Sequence, residues 1–244
     1  MLKRILTLLK LGRKIAKSDI LKITSKFRRP PLIVKILFKV LSFSFSSRKE
    51  FDASKDEGER LSSSLETMGT TFIKLGQFLA TRPDIIGEEL SKKLENLQDK
   101  LPPFSLIEAK EIIKKDLGED TFNSIINLSD PVAAASIAQV HKAQINDNGI
   151  IKDVAIKILR PNIKRIFNDE IDAMMLFAFL IESTIKKTKR LKLIEVVFLL
   201  KEITNLEMDL RFEAAAANEY AENTQNDVGF RVPQIYWNFT SENV

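Results

Sequence analysis

The 244-residue chain contains no cysteine and a single histidine, His141. A disulfide framework, a thiolate zinc site, a cysteine nucleophile and a multi-histidine metal site are thereby excluded, and the composition fits a reducing compartment. Glycine and proline are scarce, eight of each, which rules out a collagen-like or low-complexity chain. No stretch reaches the roughly 20 mostly apolar residues that a spanning helix needs. Pro31 to Phe45 is interrupted by Lys35 and Lys39, and Met174 to Ile181 is too short. The start lacks an unbroken apolar core followed by a small-residue cleavage site, so a secretory signal is not expected, although its poverty in acids is compatible with an organelle transit peptide. Zinc fingers and aromatic residues interleaved with basic ones are also missing, so nucleic acid is not an expected partner. What remains for chemistry is Lys, Asp, Glu, Ser and backbone amides.

What is present is an ordinary globular composition, 44% apolar and 29% charged, able to bury a core. The net charge of +5 is unevenly spread. Met1 to Lys49 holds fourteen Lys or Arg against one acid, Asp19, a net +13 that leaves −8 for the rest. Within this arm, Leu2, Ile5, Leu8, Leu9, Leu11, Ile15 and Ile20 recur at helical spacing between Lys3, Arg4, Lys10, Arg13, Lys14 and Lys17. That pattern reads either as amphipathic helices of a helical subdomain with solvated lysines, or as a basic face docked on an anionic membrane surface or lipid.

Beyond a polar link, Ser46 to Lys55, the apolar spacing predicts a helix from Glu57 to about Thr81. A second follows over Ile86 to Gln98, capped by Asp84, and a third over Ile107 to Leu117, capped by Ser105 and closed by Gly118. From Pro131 the character changes. Ile137 to Ile145 and Asp153 to Leu159 read as strands joined through Asn146-Asp-Asn-Gly149, a hairpin signal. Val154, Ile156 and Ile158 share one face of the second strand. A long helix from Pro161 to about Lys189, another over Leu193 to Asn223, and a strand over Val232 to Phe239 complete the reading.

Val154-Ala-Ile-Lys157 on a strand, after a small-residue turn and before glutamate-bearing helices, suggests the phosphate-binding side of a kinase-like cleft. The turn holds Ala133-Ala-Ala-Ser136 where an ordinary kinase has glycines, whose backbone amides approach phosphate closely. Taken alone, three alanines are equally compatible with a turn of helix. His141 reads as a packed or hydrogen-bonded imidazole and not as a catalytic base.

Four motifs occur in order: Lys74-Leu-Gly76-Gln77; Ala133-Ala-Ala-Ser136 with Gln139-Val-His141; Val154-Ala-Ile-Lys157; and Glu207-Met-Asp209 with Glu213-Ala214. Together they resemble the UbiB/ADCK family of atypical protein-kinase-like proteins from about residue 50 onward. The resemblance implies an α+β fold: a protein-kinase-like N-lobe, with a small antiparallel sheet plus helices, preceded by a helical N-terminal extension. Three segments are expected: a basic helical arm at 1–49, an extension carrying the Lys-x-Gly-Gln motif at 50–120, and the lobe at 121–244.

By the same resemblance ATP is the expected cofactor. Val132, Ala133, Ala134, Ala135, Ser136, Ile137, Ala138, Gln139, Val140 and Lys157 are the expected nucleotide contacts. Lys157 is expected to pair with a helix glutamate, Glu213 first and Glu207 second. Glu207 and Asp209 match the family's Glu-x-Asp motif, while Lys74, Gly76 and Gln77 are expected to cover the cleft and disfavour protein substrates. The family is linked to ubiquinone biosynthesis, so proteins of that process are implied partners. The implied setting is a membrane, either the cytoplasmic face of a bacterial inner membrane or a mitochondrial one.

A kinase also needs a catalytic-loop aspartate with a metal-binding asparagine, and an Asp-Phe-Gly aspartate. Neither is found. Asp227-Val-Gly229 imitates the second but precedes the Val232 segment, and is read as a turn. The expectation is therefore a truncated lobe with no second lobe, no catalytic residue and no metal ligand of its own; magnesium is expected only in a longer protein. A fragment, a short gene product and a lobe completed by a partner chain are all compatible with this, and whether the chain acts as an enzyme is left open.

Overall fold

The computed structural model describes Asp56–Val244 apart from Asn96, Gln98–Lys100, Asn148 and Ile185. The basic arm at 1–49 lies outside the described residues. The chain divides into two compact units, Met1–Gln98 with Arg165–Lys201, and Asp99–Lys164 with Glu202–Val244.

The first unit opens with α1 (Glu57–Met68), set by a capping box: the Asp56 carboxylate accepts the Glu59 N–H and the Glu59 side chain accepts the Asp56 N–H. The helix expected to continue to Thr81 stops at Gly69, whose φ of +104° is a left-handed-side conformation open to glycine. Gly69 ends α1 and starts α2 (Thr70–Ala80). The next expected helix is likewise split, into α3 (Pro83–Ile86) and α4 (Glu88–Glu95). Asp84 does not cap it. Arg82 holds the cap position of α3, Asp84 sits in the first turn, and the two side chains form a two-point ion pair at 2.7 and 2.8 Å. Leu65 and Met68 of α1, Phe72 and Ile73 of α2, and Leu94 of α4 are all buried. In the same unit lie most of α7 (Ile163–Thr184), a 3-10 turn (Lys186–Leu191), and the start of α8 (Leu193–Glu207). The Glu182 carboxylate accepts the Ile194 N–H at 3.1 Å and so ties the start of α8 to the end of α7.

The second unit is built on an antiparallel sheet. Its α5 (Leu106–Leu117) has the expected Ser105 cap, completed by Glu108 into a capping box, and Gly118 at its end. After the short α6 (Glu119–Asn123) come β1 (Ile125–Ile126), β2 (Pro131–Ala134), β3 (Ala138–Asp147) and β4 (Ile150–Leu159). β1 and β2 pair with β3 along one edge, and β4 pairs with it along the other. The β3–β4 hairpin runs without a break from Ala138↔Leu159 to Asp147↔Ile150. Gly149, at φ +87°, turns the chain, and its N–H donates to the Asn146 carboxamide oxygen at 2.8 Å. Ile156 and Ile158 of β4 pack with Ala143, Val244 and the α5 residues Ala109 and Ile113, which is the face the alternation indicated.

Two sequence expectations in this unit are corrected. The helix expected over Leu193 to Asn223 is broken into α8 and α9 (Leu210–Asn223), because the Asp209 carboxylate accepts the Arg211 N–H and caps a new helix. Val232 to Phe239 is not a strand: residues 231–236 join no ladder among the described residues, and Trp237–Phe239 forms a 3-10 turn. A strand needs a hydrogen-bonding neighbour, and this segment is separated from β4 by a cavity. Val228-Gly229 is a turn, as read. The fold is α+β, a kinase-like N-lobe sheet with accompanying helices.

Candidate functional site

Strand register assembles the site. Val140 of β3 lies opposite Ala133 of β2 on one side and opposite Lys157 of β4 on the other. Residues in register across neighbouring strands share a face, so Ala133, Val140 and Lys157 form one row across the sheet. The alanine-rich segment is thus neither a helix nor wholly a loop. Pro131–Ala134 is strand, and a tight turn follows, closed by the Ala135 N–H donating to the Ala138 carbonyl at 2.8 Å.

Lys157 is half-buried, and its Nζ donates to Glu213 Oε2 at 2.5 Å. Glu213, not Glu207, is the partner. The break at Asp209 explains the choice: it starts α9 four residues earlier and places Glu213 in the helix's first turn, where a carboxylate is favoured by the helix dipole. Glu207 is the last residue of α8. Asp209 also receives both arms of the Arg211 guanidinium, at 2.9 and 2.7 Å. That hydrogen bonding, ahead of every other influence, holds the Asp209 carboxyl below its ordinary value, while partial burial opposes it. Asp209 is therefore a helix cap that fixes where Glu213 stands.

One residue absent from the sequence reading braces the turn. Arg160 follows the end of β4, and its Nε and Nη2 both donate to the Ala135 carbonyl, at 3.0 and 2.8 Å. Its remaining donors reach the Pro102 carbonyl at 2.9 Å and the Leu101 carbonyl at 3.3 Å, and the guanidinium lies over the Phe104 ring. An arginine three residues past a strand lysine has no periodic signature, so only the fold reveals this role.

The other expected contacts divide by burial. Val132 and Ala133 are exposed, Ala134, Ala135 and Val140 are half-buried, and Ser136, Ile137, Ala138 and Gln139 are buried. Gln139 is occupied within the protein: its carboxamide oxygen accepts the Phe104 N–H at 2.9 Å and its NH₂ donates to the Phe104 carbonyl at 3.2 Å. The same NH₂ lies 2.9 Å from His141 Nε2, and His141 Nδ1 lies 2.8 Å from the Ser129 carbonyl. A carbonyl only accepts, so Nδ1 carries the proton and Nε2 accepts from Gln139. His141 is a fully buried, doubly hydrogen-bonded imidazole, in agreement with its sequence reading.

Lys74, Gly76 and Gln77 lie on α2 in the first unit. Lys74 and Gln77 are half-buried, whereas Gly76 is buried for a packing reason: an added Cβ would stand 2.3 Å from Leu97 Cδ1 and 2.8 Å from Leu65 Cδ1. Among the described residues no group of three or more His, Cys, Asp or Glu is placed to hold a metal ion, and no helix is long and apolar enough to cross a membrane.

Residues 96–244 match the family model for the ABC1 atypical kinase-like domain. The protein described as "Probable protein kinase UbiB" of Marinobacter nauticus is 38% identical over 188 residues, 77% of this chain and 34% of that protein. The protein of the same description in Vibrio cholerae is 36% identical over 194 residues, 79% of this chain and 35% of that protein. A third, from Cellvibrio japonicus, is 35% identical over 188 residues, covering 77% and 34%. The chain thus spans about a third of the length of the curated relatives it matches. With the row across its sheet, the Lys157–Glu213 pair and the family match in agreement, the chain belongs to the ABC1 atypical kinase-like family.

Proposed function

We propose that this chain supplies the lysine and alanine-turn side of an ATP site in a UbiB-type atypical kinase or ATPase-like protein that supports ubiquinone biosynthesis at a membrane. The observation that carries the reading is Lys157 held by Glu213 in register with Val140 and Ala133. An exposed ion pair adds little to stability, so its value lies in aiming an ammonium group at a fixed point beside the turn. The residues fit a polyphosphate: Lys157 supplies a cation, and methyl side chains on the turn let an anion approach the backbone. Bound ATP would bring a transferable phosphoryl group. This chain's contribution is to hold and orient the phosphates through Lys157, with Glu213 fixing the lysine and Arg160 fixing the turn.

Titration with a fluorescent ATP analogue tests the site. Binding should weaken at least tenfold in Lys157→Ala while the fold is retained; unchanged affinity would overturn the assignment. A second reading, docking on anionic lipid, is favoured by the net +13 of residues 1–49. Flotation with anionic and neutral vesicles tests it, with binding lost on deletion of residues 1–29 and in high salt. Equal binding to both vesicle types would remove the electrostatic part.

A further inference from the structure

Gln139 and His141 are a polar pair buried in an apolar layer. Both stand on β3, one on either side of Val140, so they point to the face opposite the row of Ala133, Val140 and Lys157. Across the ladder they meet Ile158 and Ile156, whose layer packs on α5. An amide and an imidazole are costly there unless their hydrogen bonds are made, and an apolar pair of the same shape would fill the space as well. Their hydrogen bonds lead out of the layer to one segment.

Gln139 pairs with the backbone of Phe104 at two points, accepting its N–H and donating to its carbonyl, as a neighbouring strand would. Phe104 ends a strap, residues 101–104, that belongs to no helix or ladder. Pro102 and Pro103 carry no N–H and have fixed φ angles, so the strap is stiff and Phe104 offers the first N–H after Leu101. Arg160 holds the other end. It takes the Pro102 and Leu101 carbonyls, lies over the Phe104 ring, and places two donors on the Ala135 carbonyl of the alanine turn. The orientation of the Gln139 carboxamide is set from behind: the Ser129 carbonyl takes the His141 Nδ1 proton, which leaves Nε2 as an acceptor that only an NH₂ can face. Turned the other way, the carboxamide would set its oxygen against that lone pair and against the Phe104 carbonyl.

We propose that Gln139, oriented by His141, is a positioning residue of the nucleotide site, acting on the alanine turn through the 101–104 strap and Arg160. The inference rests on the reading of Lys157 and the turn as the polyphosphate side of an ATP site. A trans peptide is planar, so fixing the Ala135 oxygen also fixes the direction of the N–H that follows it, and with it the backbone that an anion approaches. Arg160 does not settle this alone, because a long side chain has many rotamers to lose. The two strap carbonyls and the Phe104 ring hold its guanidinium in place, and Gln139 holds the strap. Two side chains on the far face of the sheet thus set the shape of the turn beside Lys157.

The test is binding of a fluorescent ATP analogue in a double-mutant cycle. Gln139→Met keeps the length of the side chain and removes both hydrogen-bonding groups, and should weaken binding about fivefold, the worth of one net hydrogen bond. Arg160→Ala should weaken it too, and the double variant should bind no worse than the weaker single one, because both cut the same connection. Losses that multiply would show Gln139 acting on the nucleotide directly, and unchanged binding in Gln139→Met would remove it from the site; either overturns the proposal. His141→Phe, which keeps a ring and removes both nitrogens, should also lose affinity, and full retention would overturn its orienting role. Where a buried variant fails to fold, amide exchange on the parent chain decides. Saturating analogue should slow exchange at Phe104 about tenfold along with Ala135, since coupling between sites is reciprocal, and leave Gly149 at the end of the hairpin unchanged. Protection confined to Ala135 would overturn the proposal. Failure of the ATP reading looks different: the parent does not bind the analogue, or Lys157→Ala binds it as tightly, and the positioning role then falls with it.

Discussion

Lys157 Nζ and Glu213 Oε2 meet at 2.5 Å across 56 residues of sequence, the first on the edge strand of the sheet and the second in the opening turn of α9. Both side chains keep a large solvent-exposed fraction, 39% and 61%. An ion pair so exposed stabilises a fold weakly. Glu213→Gln should therefore leave the melting temperature within about 2 °C of the parent while weakening ATP-analogue binding at least tenfold. Paired melting and fluorescence titrations measure both. A large loss of stability with unchanged binding would show the pair to be structural.

Arg160 donates through two nitrogens to one carbonyl, that of Ala135. Lysine cannot reproduce a planar fork. Hydrogen bonds from charged groups contribute about 1.5–3 kcal/mol each, so both Arg160→Ala and Arg160→Lys should lower stability by about 2 kcal/mol and speed amide exchange at Ala135. Denaturant melts with exchange at that amide check this. Full retention of Ala135 protection in Arg160→Lys would show that charge alone suffices.

Asp209 acts as a helix cap and as the partner of Arg211. Its carboxyl titrates below the ordinary value of 3.8, chiefly through the hydrogen bonds from Arg211. A group depressed in the folded state contributes stability that is complete above its unfolded pKa and is lost as pH falls through the folded one. Stability should thus decline below about pH 4, and Asp209→Ala should flatten that decline besides costing about 1 kcal/mol at neutral pH for the lost cap. Asp209→Asn keeps a capping oxygen and should flatten the acid limb at a smaller neutral cost. Urea melts across pH 2.5 to 7 on the three proteins separate these effects.

Gly76 is buried where a methyl group would collide with Leu97 and Leu65. Gly76→Ala gains about 1 kcal/mol of helix propensity, but over-packing of a filled core costs about 1–3 kcal/mol. A net fall in melting temperature of a few degrees is expected. A rise would show that the leucines repack freely and that the glycine serves the motif and not the packing.

Much of the lobe was legible because local signals agreed with the tertiary outcome. The Ser105 cap, the turn at Gly149 and the alternation of Val154, Ile156 and Ile158 each have one local solution, and each was adopted. Reading failed where two solutions are locally close in energy. A continuous apolar period across Gly69 or Asp209 is compatible with one long helix, yet a glycine at positive φ and a carboxylate competing for a backbone N–H divide it. Val232 to Phe239 has strand composition but no strand partner among the described residues, and pairing is a property of the neighbour.

The sequence by itself determined the composition of the site: a strand lysine, an alanine turn, two candidate glutamates, and a family match resting on the order of these motifs. Tertiary structure decided which of those residues meet. Register across β2, β3 and β4 placed Ala133, Val140 and Lys157 in one row, and the break at Asp209 chose Glu213 over Glu207. It also brought in Arg160, whose reach to Ala135 spans 25 residues. Helix caps and turns are settled within a few residues of backbone geometry, so a sequence displays them. Cross-strand register and a helix's starting point against a sheet are settled by packing between distant segments, and that information exists only once the chain has folded.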